Sequence, residues 1–234
     1  MGKLYLLPNV LEETLPWEPF LPVSVKEAVQ KLEGLICESE KAGRRYLRKF
    51  LSHDDMAKCP LCTLNEHTDK KELDLLLEPM QRGEIWGLVS DAGLACIADP
   101  GSDLISRARE KGIKVETFAG PSSIIMGLQL SGFFGQRFSF HGYLPREVPD
   151  LEKKLKELEV KSKLETQIWI EAPYRSSKML ETLKQILSPN TKLCVAVNLT
   201  TPSQRVESMM IHEWRRRSFP LEKEPAIFLL DSHL

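Results

Sequence analysis

The segment at residues 84–118, "EIWGLVSDAGLACIADPGSDLISRAREKGIKVETF", constrains the fold of this chain more than any other. It opens on a short continuous apolar run, the pattern of a strand buried on both faces. A loop of small residues follows, with two aspartates, two glycines and one proline in residues 90–101. Ser102 can then cap a helix that turns Leu104, Ile105 and Ala108 inward and closes at Gly112, and "IKVETF" alternates as a second strand. Strand, loop, helix, strand is the repeat of an open, mostly parallel sheet with crossover helices. Ligands of such sheets sit outside the carboxyl ends of the strands, where this loop falls. Glycine lets a ligand come close to the backbone, and the loop holds almost nothing that could serve as a nucleophile. It is built for binding more than for bond breaking.

The same alternation runs along the chain. "KLYLLPN" reads as a buried strand that stops at Pro8 and Asn9. A capping box of Ser24 and Glu27 opens a helix with Val25, Ala28, Val29, Leu32 and Leu35 on its apolar side. "GLICES" is a strand, residues 41–51 a helix with Tyr46, Leu47, Phe50 and Leu51 inward, and residues 69–81 a further helix ended near Gly83. "AGPSSIIMGLQLSG" is a second small-residue turn leading into a helix. A fresh set of elements begins at "RFSFHGYLP": a charged helix from Asp150, the strand "TQIWIE", a helix over 176–187, the strand "KLCVAVNL" and the strand "PAIFLL". A chain of 234 residues accommodates two domains, and the boundary is expected near Gly120, giving α/β domains over 1–119 and 120–234.

Charge excludes a globally polyanion-seeking protein, since 32 Lys and Arg against 33 Asp and Glu leave a net charge of -1. Any nucleic-acid surface must be a local patch. The stripe Lys41, Arg44, Arg45 and Arg48 follows helical spacing and is such a patch or a solvated helix face. "RRR" at residues 215–217 suits a surface helix end, where cations favour the dipole. The first residues combine a short apolar run with acidic neighbours, which suits neither a signal peptide nor a membrane span, so a cytoplasmic protein without membrane contact is expected. The 5 cysteines argue for reduced thiols rather than a disulfide framework. His53, Cys59, Cys62 and His67 lie close in sequence, but neither the histidine spacing nor the ββα pattern of a zinc finger accompanies them. They read as incidental groups in a flexible loop with no metal, and Cys37, Cys96 and Cys194 read as small core residues.

No dinucleotide fingerprint, phosphate loop or nucleophile elbow is present. What remains is three turns at strand ends: Pro8 and Asn9, residues 90–101, and residues 120–123, where Ser122 and Ser123 open a helix N-terminus suited to a carboxylate or a ribose oxygen. Four carboxylates end or follow expected strands: Glu38, Asp91, Asp99 and Glu171. Such positions gather acids, bases and cation-binding groups, and Asp91 stands inside the glycine loop itself.

The segments "LVSDAGLACIADPG", "GIKVETFAGPSSIIMGL", "FSFHGYLP", "IWIEAPYRSSKMLETL" and "PAIFLL", in that order, make the chain resemble the tetrapyrrole methylase superfamily, and within it the ribosomal RNA small-subunit cytidine 2′-O-methyltransferase branch. The resemblance implies two α/β domains, an N-terminal mostly parallel sheet and a C-terminal mixed one, with S-adenosylmethionine in the interdomain cleft of a homodimer. It implies cofactor contacts from Pro8, Asp91, Gly93, Leu94, Ile97, Ser122, Ser123, Ile170 and Ala226. It also implies methyl transfer to RNA, with Asp91, Glu38 or Glu171 as base or orienter and Lys41, Arg44, Arg45 and Arg48 toward phosphates. A tetrapyrrole or protein acceptor, or cofactor binding without catalysis, are the alternative readings. The chain departs from the branch in three places. "LLPNVLEETLP" keeps Pro8 but lacks the glycine of P-x-P-I-G-N-L, "ESEKAGRR" replaces an E-D-T-R-type segment, and Leu94 and Ala95 stand for threonine and proline.

Overall fold

The computed structural model describes residues 2–69 and 71–232. The chain divides into two compact units, Met1–Ser122 and Ser123–Leu234.

The first unit runs β1 (Lys3–Leu7), α1 (Val23–Val29), β2 (Gly34–Cys37), α2 (Glu40–Leu47), α3 (His53–Lys58), β3 (Leu61–Thr63), α4 (Glu72–Gln81), β4 (Ile85–Val89), α5 (Ser102–Glu110) and β5 (Lys114–Thr117). Its five strands lie in the order β3-β2-β4-β1-β5 and every neighbouring pair is parallel. Alternate residues feed two cores. Tyr5, Leu7, Leu35 and Val89 pack with Val25, Tyr46 and Leu47 of α1 and α2 on one face. Leu4, Ile36, Trp86 and Leu88 pack with Leu77 and Leu104 of α4 and α5 on the other. Both faces are covered, so the strands read as continuous apolar runs.

The strand order creates a switch point at the centre of the sheet. The chain leaves β1 toward β2 on one side, and leaves neighbouring β4 toward β5 on the other. Connections that part this way open a crevice at the carboxyl ends. Asn9 closes its floor. Its side chain is buried, and its Nδ2 donates to the carbonyls of Ser90 at 3.2 Å and Asp91 at 2.8 Å. The Asn9 amide donates to the Gly93 carbonyl at 2.8 Å, and Asn9 Oδ1 accepts from the Val10 amide at 2.9 Å.

The second unit runs α6 (Ser123–Ser131), β6 (Phe138–Tyr143), α7 (Val148–Lys161), β7 (Thr166–Glu171), α8 (Ser176–Ile186), β8 (Lys192–Val197), β9 (Arg205–Met210), α9 (Ile211–Trp214) and β10 (Ala226–Asp231). The order is β6-β7-β10-β8-β9, with β6 parallel to β7 and the other pairs antiparallel, a mixed sheet as expected. Its core is centred on Trp169, stacked on Phe228 with ring centroids 5.7 Å apart, and on Trp214. In the "RRR" run, Arg215 donates to the carbonyls of Lys184 at 2.8 Å and Leu187 at 3.0 Å, so a cation serves the C-terminal end of α8.

Several local expectations need correction. The first helix starts at Val23 behind Pro22, with no side-chain cap, so Ser24 and Glu27 form no capping box. The preset φ of Pro22, -64°, makes that start without one. The helix ends at Val29, and Leu35 belongs to β2. The next helix starts at Glu40, where the Ser39 side chain accepts from the Ala42 amide, and ends at Leu47 rather than at residue 51. Gly101, not Ser102, precedes α5 as its cap residue. The helix expected over 69–81 is Glu72–Gln81, and Lys70 lies outside the described residues. The thiol segment is not a loop: it forms α3 and the edge strand β3, with Cys59 buried and Cys37 Sγ 3.6 Å from the Cys62 carbonyl oxygen. A three-residue strand is too short to display a period. The strand β9 went unanticipated for a related reason, since its half-buried edge sequence "RVESMM" is weakly apolar.

The Asn9 side chain predicts its own test. Asn9→Ala takes the Asn9 side chain from the buried Ser90 carbonyl, the part-buried Asp91 carbonyl and the Val10 amide and should cost about 1 to 3 kcal/mol, read as a lower urea midpoint at unchanged slope. Asn9→Asp, which turns a carboxylate toward those carbonyls, should be worse; equal midpoints for all three proteins would show that Asn9 does not hold the strand ends.

Candidate functional site

The loop after β4 is held in a conformation that few sequences adopt. Cys96 and Ala98 have φ of 66° and 68°, beside Gly93 at 70° and Gly101 at 140°. Left-handed backbone at a residue with a Cβ costs on the order of 1 to 3 kcal/mol, and such strain gathers at ligand-binding sites. Gly101 is required here: a Cβ at this position would lie 2.3 Å from Cys96 Sγ. Gly120, after β5, is required in the same sense, because its Cβ would lie 2.1 Å from Pro8 Cβ. Pro8 therefore packs on the Gly120 backbone, with a Leu94 methyl at 3.4 Å from the same point and the Pro121 carbonyl 3.6 Å from where a Gly93 Cβ would be. The ends of β1, β4 and β5 thus converge, bringing together Pro8, Gly93 and Leu94. Ile97, half exposed, is tied back by its amide to the Leu94 carbonyl at 3.3 Å.

The carboxylates of this unit form a group. Glu38 follows β2, and its Oε1 accepts from the Asp91 amide at 2.9 Å. Burial pushes the Glu38 carboxyl above the usual range; the Asp91 N–H opposes this, and the charges of Asp99 and Asp91 add to it. Asp99 is also raised by burial and by Asp91, against a hydrogen bond with the Ser90 side chain. Asp91 itself is exposed. Three acids around an open backbone loop, two of them reluctant to ionise, suit a ligand that carries positive charge. Asp99, noted in the sequence only as a strand-end acid, belongs to the group through Ser90 and Asp91.

Ser122 ends the first unit and Ser123 begins α6. In the second unit, Ile170 and Glu171 close β7, and Ala226 opens β10 directly opposite Glu171. The Glu171 side chain is fully buried: Oε1 accepts from the Ala172 amide at 2.9 Å and lies 3.2 Å from Arg175 Nε, while Oε2 has no partner among the described residues. Burial raises its carboxyl, opposed by that amide and by Arg175 and Arg146. The Glu171 and Arg175 pairing spans the turn between β7 and α8, and the sequence marks Glu171 only as a strand-end carboxylate.

The basic stripe is divided. Arg44 pairs with Glu40 at 3.3 Å and Arg45 pairs with Glu13. Lys41 and Arg48 are exposed and form no ion pair among the described residues. His53 and His67 are exposed at the surface. Among the described residues, no group of three or more His, Cys, Asp or Glu could hold a metal, and no helix is long and apolar enough to cross a membrane.

Comparison with known proteins follows this geometry. The "Ribosomal RNA small subunit methyltransferase I" of Vibrio cholerae is 30% identical over 169 residues, 72% of this chain and 58% of that protein. The Thermotoga maritima protein of the same name is 35% identical over 167 residues, 71% of this chain and 70% of the relative. The Escherichia coli O157:H7 protein is 28% identical over 99% of this chain and 78% of its own length. The chain therefore spans little more than half of the Vibrio cholerae relative that it matches. Among solved structures, the methyltransferase CobJ superposes with a TM-score of 0.64 at 16% identity, over 99% of this chain and 94% of that one. The uroporphyrin-III-C-methyltransferase of Thermus thermophilus gives 0.55 at 15% identity, over 98% and 92%. The profile of the Tetrapyrrole (Corrin/Porphyrin) Methylases matches residues 21–213, a span that contains the strained loop, the carboxylate group and the end of β7, and the chain belongs to that family.

Proposed function

We propose that this chain is an S-adenosylmethionine-dependent methyltransferase acting on RNA, with a ribose 2′-hydroxyl of ribosomal RNA as acceptor. The observation that carries the cofactor assignment is the convergence of Glu38, Asp91 and Asp99 on the glycine loop at the switch point. A ligand with a sulfonium and an ammonium group would relieve the charge that these acids impose on one another. Pro8, Asp91, Gly93, Leu94, Ile97, Ser122 and Ser123 would hold it, with Ile170 and Ala226 contributing from the second unit. Bound there, it supplies a methyl group already activated for transfer.

What the chain must add is placement of the acceptor and removal of its proton. Glu38 is assigned as the base, because its raised carboxyl is better matched to proton transfer near neutral pH than an ordinary glutamate. Its amide partner at Asp91 fixes the orientation of Oε1 and leaves Oε2 for the hydroxyl. Asp91 and Glu171 act as orienting groups. The names of the relatives support the RNA acceptor, and the free cations Lys41 and Arg48 support phosphate contact, with Arg44 and Arg45 drawn partly into acidic pairs. A homodimer in the cytoplasm completes the reading.

Three outcomes are expected. First, incubation with methyl-labelled S-adenosylmethionine and separated cell fractions should label ribosomal RNA. Label only in a protein or tetrapyrrole fraction would replace the acceptor, and absence of cofactor binding in a calorimetric titration would sink the enzyme reading altogether.

Second, Glu38→Gln should lower kcat by about 10²- to 10⁴-fold and abolish the rise of rate with pH through the Glu38 titration. Its effect on stability has a definite sign. A carboxyl raised in the folded state binds its proton more tightly there than in the unfolded chain, so its contribution is full below the unfolded pKa and is lost as pH rises through the folded one. Urea midpoints of the cofactor-free protein should fall as pH rises above the ordinary glutamate range, and less steeply in Glu38→Gln; parallel curves would contradict the assignment.

Third, Lys41→Ala and Arg48→Ala should each reduce the salt slope of RNA affinity by roughly 0.7 to 0.9, whereas Arg45→Ala should change it less. Unchanged slopes in Lys41→Ala and Arg48→Ala would reassign the stripe to an ordinary solvated face.

A further inference from the structure

A cleft of about 350 Å³ lies within the second unit, lined by Arg146, Glu171, Tyr174, Arg175 and Lys178 beside α7 and the first turns of α8. Its polar groups are unequally used. Arg175 is committed, through Nε to Glu171 and through a terminal nitrogen to the Pro145 carbonyl at 3.1 Å. Arg146 and Lys178 are exposed and make no side-chain hydrogen bond or salt bridge among the described residues. The Tyr174 ring is 68% exposed and stacks on no other ring among them. Against these open groups stands Glu171 Oε2, buried and without a partner.

A buried carboxylate oxygen without a hydrogen bond is an unmet demand for a donor. Two cations without a hydrogen bond or ion pair among the described residues, one of them near enough for its charge to act on Glu171, favour an anion in the same cleft, and an exposed aromatic ring offers a stacking surface. An acidic peptide would meet the cations, but its carboxylates offer neither a flat face to the Tyr174 ring nor a donor to Glu171. A nucleotide meets all three: phosphate, flat base, and N–H or O–H donors on the base or ribose. The cleft volume is at the lower end of small-ligand sites, the size of one such unit.

We propose that this cleft holds a single nucleotide of the RNA strand, its phosphate on Arg146 and Lys178, its base on the Tyr174 ring, and a base or ribose donor toward Glu171 Oε2. The inference rests on the RNA reading above and adds a subsite to it.

The test is binding of a fluorescent single-stranded RNA to the full chain across a salt series, with cofactor-dependent labelling of RNA measured separately. Arg146→Ala and Lys178→Ala should each lower the slope of log affinity against log salt by about 0.7. Tyr174→Ala should weaken binding about tenfold while Tyr174→Phe, which keeps the ring, retains it. All three positions carry exposed side chains, and equal urea midpoints will confirm that the four variants fold. If the wild type binds RNA and the alanine variants bind it with the same affinity and slope, the cleft proposal falls and the methyltransferase reading stands. If RNA binding depends on the cleft but no label is transferred, the reverse holds. If the wild type binds no RNA, both fall.

Discussion

The Asn9 side chain fastens the carboxyl ends of the two central strands to each other, and the geometry of the candidate site follows from that attachment. Parallel neighbours whose connections leave in opposite directions would otherwise part at this end, because no further ladder bonds exist beyond Leu7 and Val89. Asn9 supplies them from a side chain, donating to the Ser90 and Asp91 carbonyls while its backbone holds Gly93. With that end closed, residues 90–101 must turn within a short distance, and they do so through four left-handed residues, two of which carry side chains. The cost of that turn is offset by the packing of β4, buried on both faces.

The same turn sets the electrostatics. Directing the Asp91 amide toward Glu38 makes one good hydrogen bond, yet it also gathers Glu38, Asp91 and Asp99 where burial and mutual repulsion raise two of the three carboxyls. A structural acid would be better placed in solvent or against a cation of the chain. Glu38 and Asp99 are partly buried and pair with no cation among the described residues, the placement of a binding group rather than a stabilising one. The second unit presents the opposite balance at the end of β7, where a buried carboxylate is half satisfied by Arg175 and the surrounding charge is positive. The two carboxylate environments, one among acids and one among bases, differ in the charge of the ligand that each would favour.

The departures from the RNA-modifying branch fall at positions where the structure shows how they are accommodated. Pro8 keeps its place on Gly120 although the glycine of the opening segment is missing, and Leu94 fills the neighbouring space with a methyl group. Ala95, in the place of proline, is buried in the core beneath the loop. These substitutions alter the lining of the loop and leave its backbone path to Gly93, Gly101 and Asn9.

The amino-acid sequence by itself determined the elements with a strong period and the turns between them. Buried runs such as "IWGLV" and "AIFLL" can only be interior strands, helices with regular apolar spacing can only lie on a sheet, and the small residues at 90–101 and 120–123 can only be tight turns, so an α/β chain with ligand-side loops was legible. The boundaries were less so: Pro22 and Gly101 set helix starts through backbone dihedrals, which periodicity does not register, and β3 and β9 are too short or too polar at a sheet edge to show a pattern. Only the tertiary structure decided which strand ends meet. Strand order places β4 between β2 and β1, and β1 between β4 and β5; the β1–β4 pairing gives the Asn9 bridge, β2–β4 the approach of Glu38 to Asp91, and β1–β5 the contact of Pro8 with Gly120, all between residues far apart in sequence. Among the described residues, ion pairing likewise engages Arg44 and Arg45 and not Lys41 or Arg48, and burial leaves one oxygen of Glu171 unpaired, because partners and solvent access are properties of the packed chain and not of residue spacing.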